Sequence, residues 1–333
     1  TKTFNEYLSR PDDPDKPNVA YFSMEFGIHQ CLKIYSGGLG ILAGDYLKEA
    51  SDSNLNIIGV GFLYRYGYFR QKLGPRGEQL TIYETEDFSR LPVTPVKDSK
   101  GNHMFVTLAW PGRTVKIRIW QAMVGKVRLF LLDTDFDDNT PEDRTITHYL
   151  YGGDIENRLR QELILGIGGI RALTAMGLKP DLYHSNEGHS AFISLERLRT
   201  MIEEFHLTFN QALEAVRAST LFTTHTPVPA GHDAFDEDLL RKYISHYHSR
   251  LNITWDELMA LGRCEGELEK KFNMSYLATR MSQEVNGVSK LHGEVSQGMF
   301  NKLWPGYLQE ELFIGYVTNG VHHPTWTAPE WKE

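Results

Sequence analysis

The run "NIIGVGFLY" (56–64) is apolar on both of its alternating sets of positions, and "NVAYFSM" (18–24) and "KVRLFLLDTD" (126–135) behave similarly. A strand with one wet face alternates apolar and polar residues; a strand covered on both faces does not. Further strand candidates are "DLYHSN" (181–186), "STLFTTHT" (219–226), "EVNGVSK" (284–290) and "LFIGYVTNG" (312–320). Helical patterns lie between them. "NRLRQELILGIGGIRALTAMG" (157–177) is apolar on a broad face, and "GHSAFISLERLRTMIEEF" (188–205) and "MSYLATRMSQEV" (274–285) repeat apolar residues three and four apart. The alternation predicts an α/β fold with a doubly wound, mostly parallel sheet.

One region breaks the pattern. Over 66–127 the runs "EQLTIYETED", "HMFVTLAW" and "TVKIRIWQAMV" are separated by "GPRG", "KDSKGN" and "PGR", turn clusters suited to antiparallel hairpins. This predicts an antiparallel β meander inserted in the main sheet or packed beside it.

Composition removes several function classes. A net charge of −8 argues against a general nucleic-acid or acidic-membrane binder. No apolar run approaches the roughly 20 residues needed to span a bilayer, and no signal peptide opens the chain. The two cysteines, Cys31 and Cys264, are far apart, which suits a reducing cytoplasm and offers neither a disulfide framework nor a zinc site. "HGE" and "HDAFDED" are explained more simply by acidic surface and helix caps than by a metal.

In open α/β sheets ligands bind beyond the carboxyl ends of the parallel strands. Those ends carry Glu25, Arg65, Asn186–Glu187, Thr224–His225, Lys290 and Asn319. Any one of them is explained by a strand end meeting solvent; the gathering over several strands suggests a cleft. Between the first strand and a helix starting near Leu39 lies "IYSGGLG", where free N–H groups and the helix dipole form an anion site. Gly37 and Gly38 would admit a phosphate; Gly40 and Gly44, four apart, suit close helix packing. The spacing is not G-x-G-x-x-G, so no dinucleotide fingerprint is present. Taken alone, this stretch fits a packing turn as well as a phosphate cradle.

Together, "VAYFSMEFGIHQCLKIYSGGLGILAGDYLKEASD", "GVGFLYRYGYFRQ", "DLYHSNEGHSAF", "LFTTHTPVPAGHDAF", "NGVSKLHGEVS" and "VTNGVHHPTW" resemble the α-glucan (glycogen, starch and maltodextrin) phosphorylases of the short bacterial and archaeal branch, in family order from about Asn18 to Pro329. The resemblance implies the N-terminal half of a glycosyltransferase-B fold, with 1–333 as one Rossmann-like domain and the C-terminal cofactor-binding domain absent. It implies transfer of the terminal glucose of α-1,4-glucan to inorganic phosphate, giving glucose 1-phosphate with retained configuration. The family's cofactor is pyridoxal 5′-phosphate, held by a lysine in a Gly-x-x-Met-Lys motif that this chain lacks. The chain by itself is therefore expected to be inactive and without bound cofactor.

By the same resemblance, Gly37 and Gly38 face the cofactor and substrate phosphates, and the Leu39 N–H faces the sugar. His225 lines the glucose subsite, its alternative being a buried structural histidine. Asp154 in "LYGGD" matches the acidic residue of the loop gating the cleft. Glu187 and His189 align with a pocket on the sugar's anomeric side, although animal enzymes carry aspartate where Glu187 stands. Glu25, Asn186 and Arg65 would support these groups from behind. Glu25 is expected to fix the glycine loop, Asp45 to cap or complement its helix, and Arg65 or Arg70 to pair with Glu25 or Glu84. The aromatics of "YRYGYFRQ" read as core. No metal, nucleic acid or membrane partner is expected, and a homo-oligomer stays open. Rival readings are a glycogen or starch synthase-like transferase using a nucleotide sugar, a glycosidase using Glu25 and Glu187 as its carboxylate pair, and a catalytically silent glucan-binding domain.

Overall fold

The computed structural model describes residues 2–228, 231–264, 266 and 270–331. Its strands, in chain order, are β1 (Val19–Phe22), β2 (Ile57–Phe62), β3 (Arg70–Leu73), β4 (Gln79–Ile82), β5 (Val93–Pro95), β6 (Phe105–Trp110), β7 (Arg113–Val124), β8 (Val127–Asp133), β9 (Leu182–Asn186), β10 (Thr220–Thr223), β11 (Ala234–Phe235), β12 (Phe272–Asn273), β13 (Glu284–Gly287) and β14 (Ile314–Tyr316). Ten of them form one sheet in the order β14-β13-β10-β9-β1-β2-β8-β7-β5, with β6 pairing β7. Every pair from β14 to β8 is parallel. The order runs outward in both directions from the β1–β9 pair, so the topological switch point lies there.

Both faces are covered, as the two-sided apolar strands require. Leu47 of the helix Gly38–Asp52 lies where a Cβ on Gly59 of β2 would meet it at 3.0 Å. On the opposite face, a Cβ on Gly169 would meet Phe22 at 2.7 Å and Val60 at 3.1 Å. Phe22, Val60, Leu129, Leu131 and Leu132 are fully buried, and each such side chain contributes roughly 1.5–3 kcal/mol through burial.

Two expectations are refined. The helix predicted over 157–177 runs as Ile155–Leu163 and Gly169–Ala175 with a π turn at Ile164–Gly168 between them. Gly166 there passes so close to the next helical segment that a Cβ would sit 2.6 Å from that of Phe192. The meander divides. β3 and β4 form a separate two-stranded hairpin, whereas β5, β6 and β7 continue the main sheet through antiparallel pairing of β7 with β8. Val115, Ile117 and Ile119 of β7 are fully buried, which ties that strand to the core; all four residues of β3 are exposed.

Candidate functional site

At the switch point the chain leaves β1 through Ser23, Met24 and Glu25 and returns through the glycine loop. Glu25 is buried, and its Oε2 accepts from the backbone N–H of Ser36 at 2.7 Å and of Gly37 at 3.4 Å. Its Oε1 accepts from the hydroxyl of Tyr151 at 2.6 Å. Room for the carboxylate exists because residue 40 is glycine: a Cβ there would lie 2.7 Å from Glu25 Oε2. Gly44 is required by contact as well, since its Cβ would lie 2.1 Å from the carbonyl oxygen of Gly27.

Gly37 and Gly38 are different. Both are exposed, and a Cβ on either meets no atom within 4 Å. Gly37 is the N-cap of the helix Gly38–Asp52, one residue earlier than the sequence suggested. The N–H groups of Gly38 and Leu39 thus belong to the first helical turn, where no carbonyl lies four residues back to receive them. Open space, free amides and the positive end of a 15-residue helix coincide at one spot.

A hydrogen-bonded chain links this loop to the neighbouring strand ends. Ser23 Oγ donates to the Glu25 carbonyl at 2.9 Å and receives Asn186 Nδ2 at 3.1 Å, joining the ends of β1 and β9. Asn186 Oδ1 lies 2.6 Å from His225 Nε2, beyond the end of β10. Burial pushes the His225 imidazole down to about 4, against the pull of Glu187, so the ring is neutral at physiological pH. Pro229 and Ala230 of the motif that follows His225 lie outside the described residues.

Glu187 holds this loop from behind. It is a non-glycine residue at φ 69°, and its buried carboxylate accepts from the N–H groups of His225 (2.9 Å), Thr226 (3.1 Å) and Gly188 (3.1 Å) and from Thr226 Oγ1 (3.1 Å). Burial acts to raise its pKa, but His189, His225 and the His225 amide outweigh it and hold it below the ordinary value. His189 sits on the other side, with Nε2 3.1 Å from Arg158 and 3.3 Å from Asp233. Arg158 binds Asp233 at 2.8 Å and packs over the Tyr151 ring at 4.4 Å. Burial acts to raise Asp233 as well, yet His189 and Arg158 keep it well below the usual range. Beside them Glu162 is fully buried, its Oε1 3.5 Å from Arg158 Nε; burial, helped by Asp233, raises it well above the ordinary carboxylate pKa. Ser23, Tyr151, Arg158 and Glu162 escaped the sequence reading, and Asp233, read within "HDAFDED" as acidic surface or a helix cap, is instead largely buried against Arg158 and His189. The four-residue spacing of Arg158 and Glu162 on one helix face is a signal that could have found those two; no local pattern marks Ser23 or Tyr151.

The remaining expected residues lie further out. Asp154 is exposed and caps the helix Ile155–Leu163 by accepting from the Asn157 N–H at 2.8 Å. Arg65 does not pair with Glu25 or Glu84: its Nε reaches Asp135 Oδ2 at 2.6 Å, because the end of β8 is nearer than the glycine loop. Arg70 does face Glu84, at 3.4 Å, and Lys33 holds Glu84 and Glu86. Asp45 caps nothing. It accepts from the His322 N–H at 3.0 Å and the Trp326 indole at 2.6 Å, clasping the segment after β14. The aromatics of "YRYGYFRQ" divide: Tyr64 is buried, while Tyr66 and Tyr68 join a partly exposed group, Tyr66 stacking on Tyr149 at 4.9 Å.

What the arrangement offers chemically is anion recognition by bare amides beside a neutral, oriented histidine. Neither Glu25 nor Glu187 is free to act as a hydrolase carboxylate, since each accepts at least three hydrogen bonds from the protein. Among the described residues no group of three or more His, Cys, Asp or Glu could hold a metal ion, and no helix is long and apolar enough to cross a membrane.

Residues 179–330 match the carbohydrate phosphorylase family model. The chain is 45% identical to a glycogen phosphorylase of Mycobacterium tuberculosis, over 99% of its own length and 41% of that protein's. It is 44% identical to a maltodextrin phosphorylase of Thermococcus litoralis, over 95% of its length and 37% of the relative's. It is 35% identical to a glycogen phosphorylase of Aquifex aeolicus, over 99% and 47%. The chain thus spans less than half the length of these curated relatives. The order of the strand-end motifs, the two-sided parallel sheet and this similarity to bacterial and archaeal relatives agree: the chain belongs to the carbohydrate phosphorylase family.

Proposed function

We propose that the protein carrying this chain transfers the terminal glucose of an α-1,4-glucan to inorganic phosphate, releasing glucose 1-phosphate. The bond from the anomeric carbon to the glycosidic oxygen breaks, a bond to a phosphate oxygen forms, and the phosphate proton passes to the departing sugar hydroxyl. The observation carrying this reading is the pair of open glycines at a helix start, fixed by Glu25 and linked by hydrogen bonds to neutral His225.

In this reading the Gly38 amide receives a phosphate oxygen above the open Gly37, whose own N–H is given to Glu25, the Leu39 N–H and His225 meet the sugar, and Asp154, His189 and Glu187 shape the pocket around it. Glu187 acts through the amides it holds. The open cradle also fits the phosphate of pyridoxal 5′-phosphate, which when bound supplies a second phosphate able to exchange a proton with the first. The nearby cations are committed elsewhere, Arg158 to Asp233, Arg65 to Asp135 and Lys33 to Glu84 and Glu86. With these cations neutralised by carboxylates, the chain alone is proposed to be inactive and free of cofactor. A chain with two cysteines, Cys31 and Cys264, far apart in sequence supports a cytoplasmic location.

The test is phosphorolysis by the intact protein. Maltoheptaose with inorganic phosphate should yield glucose 1-phosphate. Release of free glucose without phosphate, or glucosyl transfer from ADP-glucose instead, would overturn the proposal.

A further inference from the structure

We propose that Tyr151 is the positioning residue that sets the phosphate cradle, acting through Glu25 rather than on any ligand. This rests on the phosphorylase reading of the cradle for its kinetic consequence, but not for its structural one.

Tyr151 lies far from the glycine loop in sequence, in a turn where it takes φ 55°. Its ring is clamped by two groups: the Arg158 guanidinium lies 4.4 Å from the ring centroid, and the edge-on His189 ring 5.7 Å away. Its hydroxyl reaches Glu25 Oε1 at 2.6 Å. The opposite oxygen of Glu25 takes the Ser36 and Gly37 amides. One carboxylate is thus held by a phenol on one side and holds the loop on the other. Rotation of this carboxylate alters the side-chain acceptor that the Ser36 and Gly37 amides share. Burial, reinforced by the Glu25 charge, keeps the phenol protonated, so it stays a donor across the physiological range.

The clamp matters because a buried carboxylate hydrogen-bonded on one edge alone is free to swing. With the phenol in place both edges are fixed, and with them the Ser36 and Gly37 amides that lead into the helix start. Arg158 and His189, which seat the ring, belong to the Asp233 cluster on the sugar side of the site. The hydroxyl of Tyr151 therefore connects that cluster to the anion side.

Tyr151→Phe removes the hydroxyl and keeps the clamped ring. In the intact protein it should raise KM for phosphate about tenfold, the loss expected for one hydrogen bond to a charged acceptor, with KM for glucan unchanged. In a Glu25→Gln background the same change should add little, because the two residues act in series. In the 333-residue chain, Tyr151→Phe should speed hydrogen exchange at the Ser36 and Gly37 amides without altering exchange in β9 or β10. Unchanged exchange at these amides overturns the proposal whether or not the protein proves to be a phosphorylase. With phosphorolysis present, an equal rise in both KM values, or full additivity with Glu25→Gln, overturns it as well. Faster exchange in a protein without phosphorolysis would support the Tyr151–Glu25 link and defeat only the functional reading.

Discussion

Nε2 of His225 sits 2.6 Å from Oδ1 of Asn186, and an amide oxygen can only accept. The Asn186 amide cannot turn round cheaply, since its Nδ2 already donates to Ser23 Oγ. The proton of the neutral imidazole is therefore placed on Nε2, leaving Nδ1 as a lone pair. The pair fixes both the orientation and the tautomer of the ring.

That relationship makes Asn186→Asp informative. A carboxylate against Nε2 stabilises the imidazolium, as opposite charges at hydrogen-bond distance do. The His225 pKa should climb from about 4 by about one pH unit or more. Imidazole proton shifts followed through an NMR titration of the chain measure this directly. An unmoved His225 would show that Asn186 does not face the ring in solution.

The glycine loop should separate stability from binding. Gly38→Ala puts a methyl where no atom lies within 4 Å, at a helical position, so urea unfolding should be unchanged or slightly stabilised. The same methyl projects over the cradle, so phosphate affinity in the intact protein should fall at least tenfold. Gly44→Ala drives a methyl to 2.1 Å from the Gly27 carbonyl. It should destabilise by about 1–3 kcal/mol or more. A reversal of these two stability results would mean that the loop's glycines serve packing and its helix glycines do not.

Much of this was legible in the sequence, and for identifiable reasons. Two-sided apolar runs such as "NIIGVGFLY", short and rich in β-branched and aromatic residues, read as covered strands, so the parallel sheet and the polar rim at its strand ends followed. Gly37, Gly38 and His225 were legible because strand-end position is a property of local pattern. Arg65 was assigned the wrong partner because pairing depends on which strand lies alongside, and β8 is distant in the chain. Tyr151 was invisible for the same reason: its partner Glu25 is 126 residues away. Asp45 was read as a cap because sequence shows the helix but not the segment after β14 that crosses it.

Glu187 anchors the His225 loop with one charge. Glu187→Gln keeps the shape but replaces one acceptor oxygen by an NH₂ group facing amide donors. The variant should lose about 2–4 kcal/mol in urea unfolding, the range for leaving buried donors unpaired around a lost charge. His225 resonances should also broaden or shift as its loop loosens. A loss below about 0.5 kcal/mol, within the range of ordinary surface changes, would remove Glu187 from this role.

Acid should destabilise the chain through its buried histidines before its carboxylates act. His184 donates from Nε2 to Thr223 at 2.8 Å and packs edge-on against Tyr21 and Tyr46; burial, with His225 nearby, takes its pKa down to about 3. The folded state thus binds this proton less readily than the unfolded chain, and stability falls as pH drops below about 6.5. Between pH 6.5 and 5 the loss from His184 amounts to about 1–2 kcal/mol, allowing for partial solvent contact. Glu187 and Asp233, both held below their ordinary values, retain their contribution in this window and lose it only at lower pH. Glu162, raised above its ordinary value, works in the opposite direction, favouring the folded state more as pH falls towards the unfolded carboxyl pKa. A bare pH profile therefore mixes signs, and the difference between two proteins isolates the histidine. His184→Gln keeps a donor for Thr223 and carries no titrating group. Its free energy of urea unfolding should fall less steeply than the parent's over pH 6.5 to 5, by about that same 1–2 kcal/mol. Parallel profiles would mean that the ring is solvated and charges freely in the folded state.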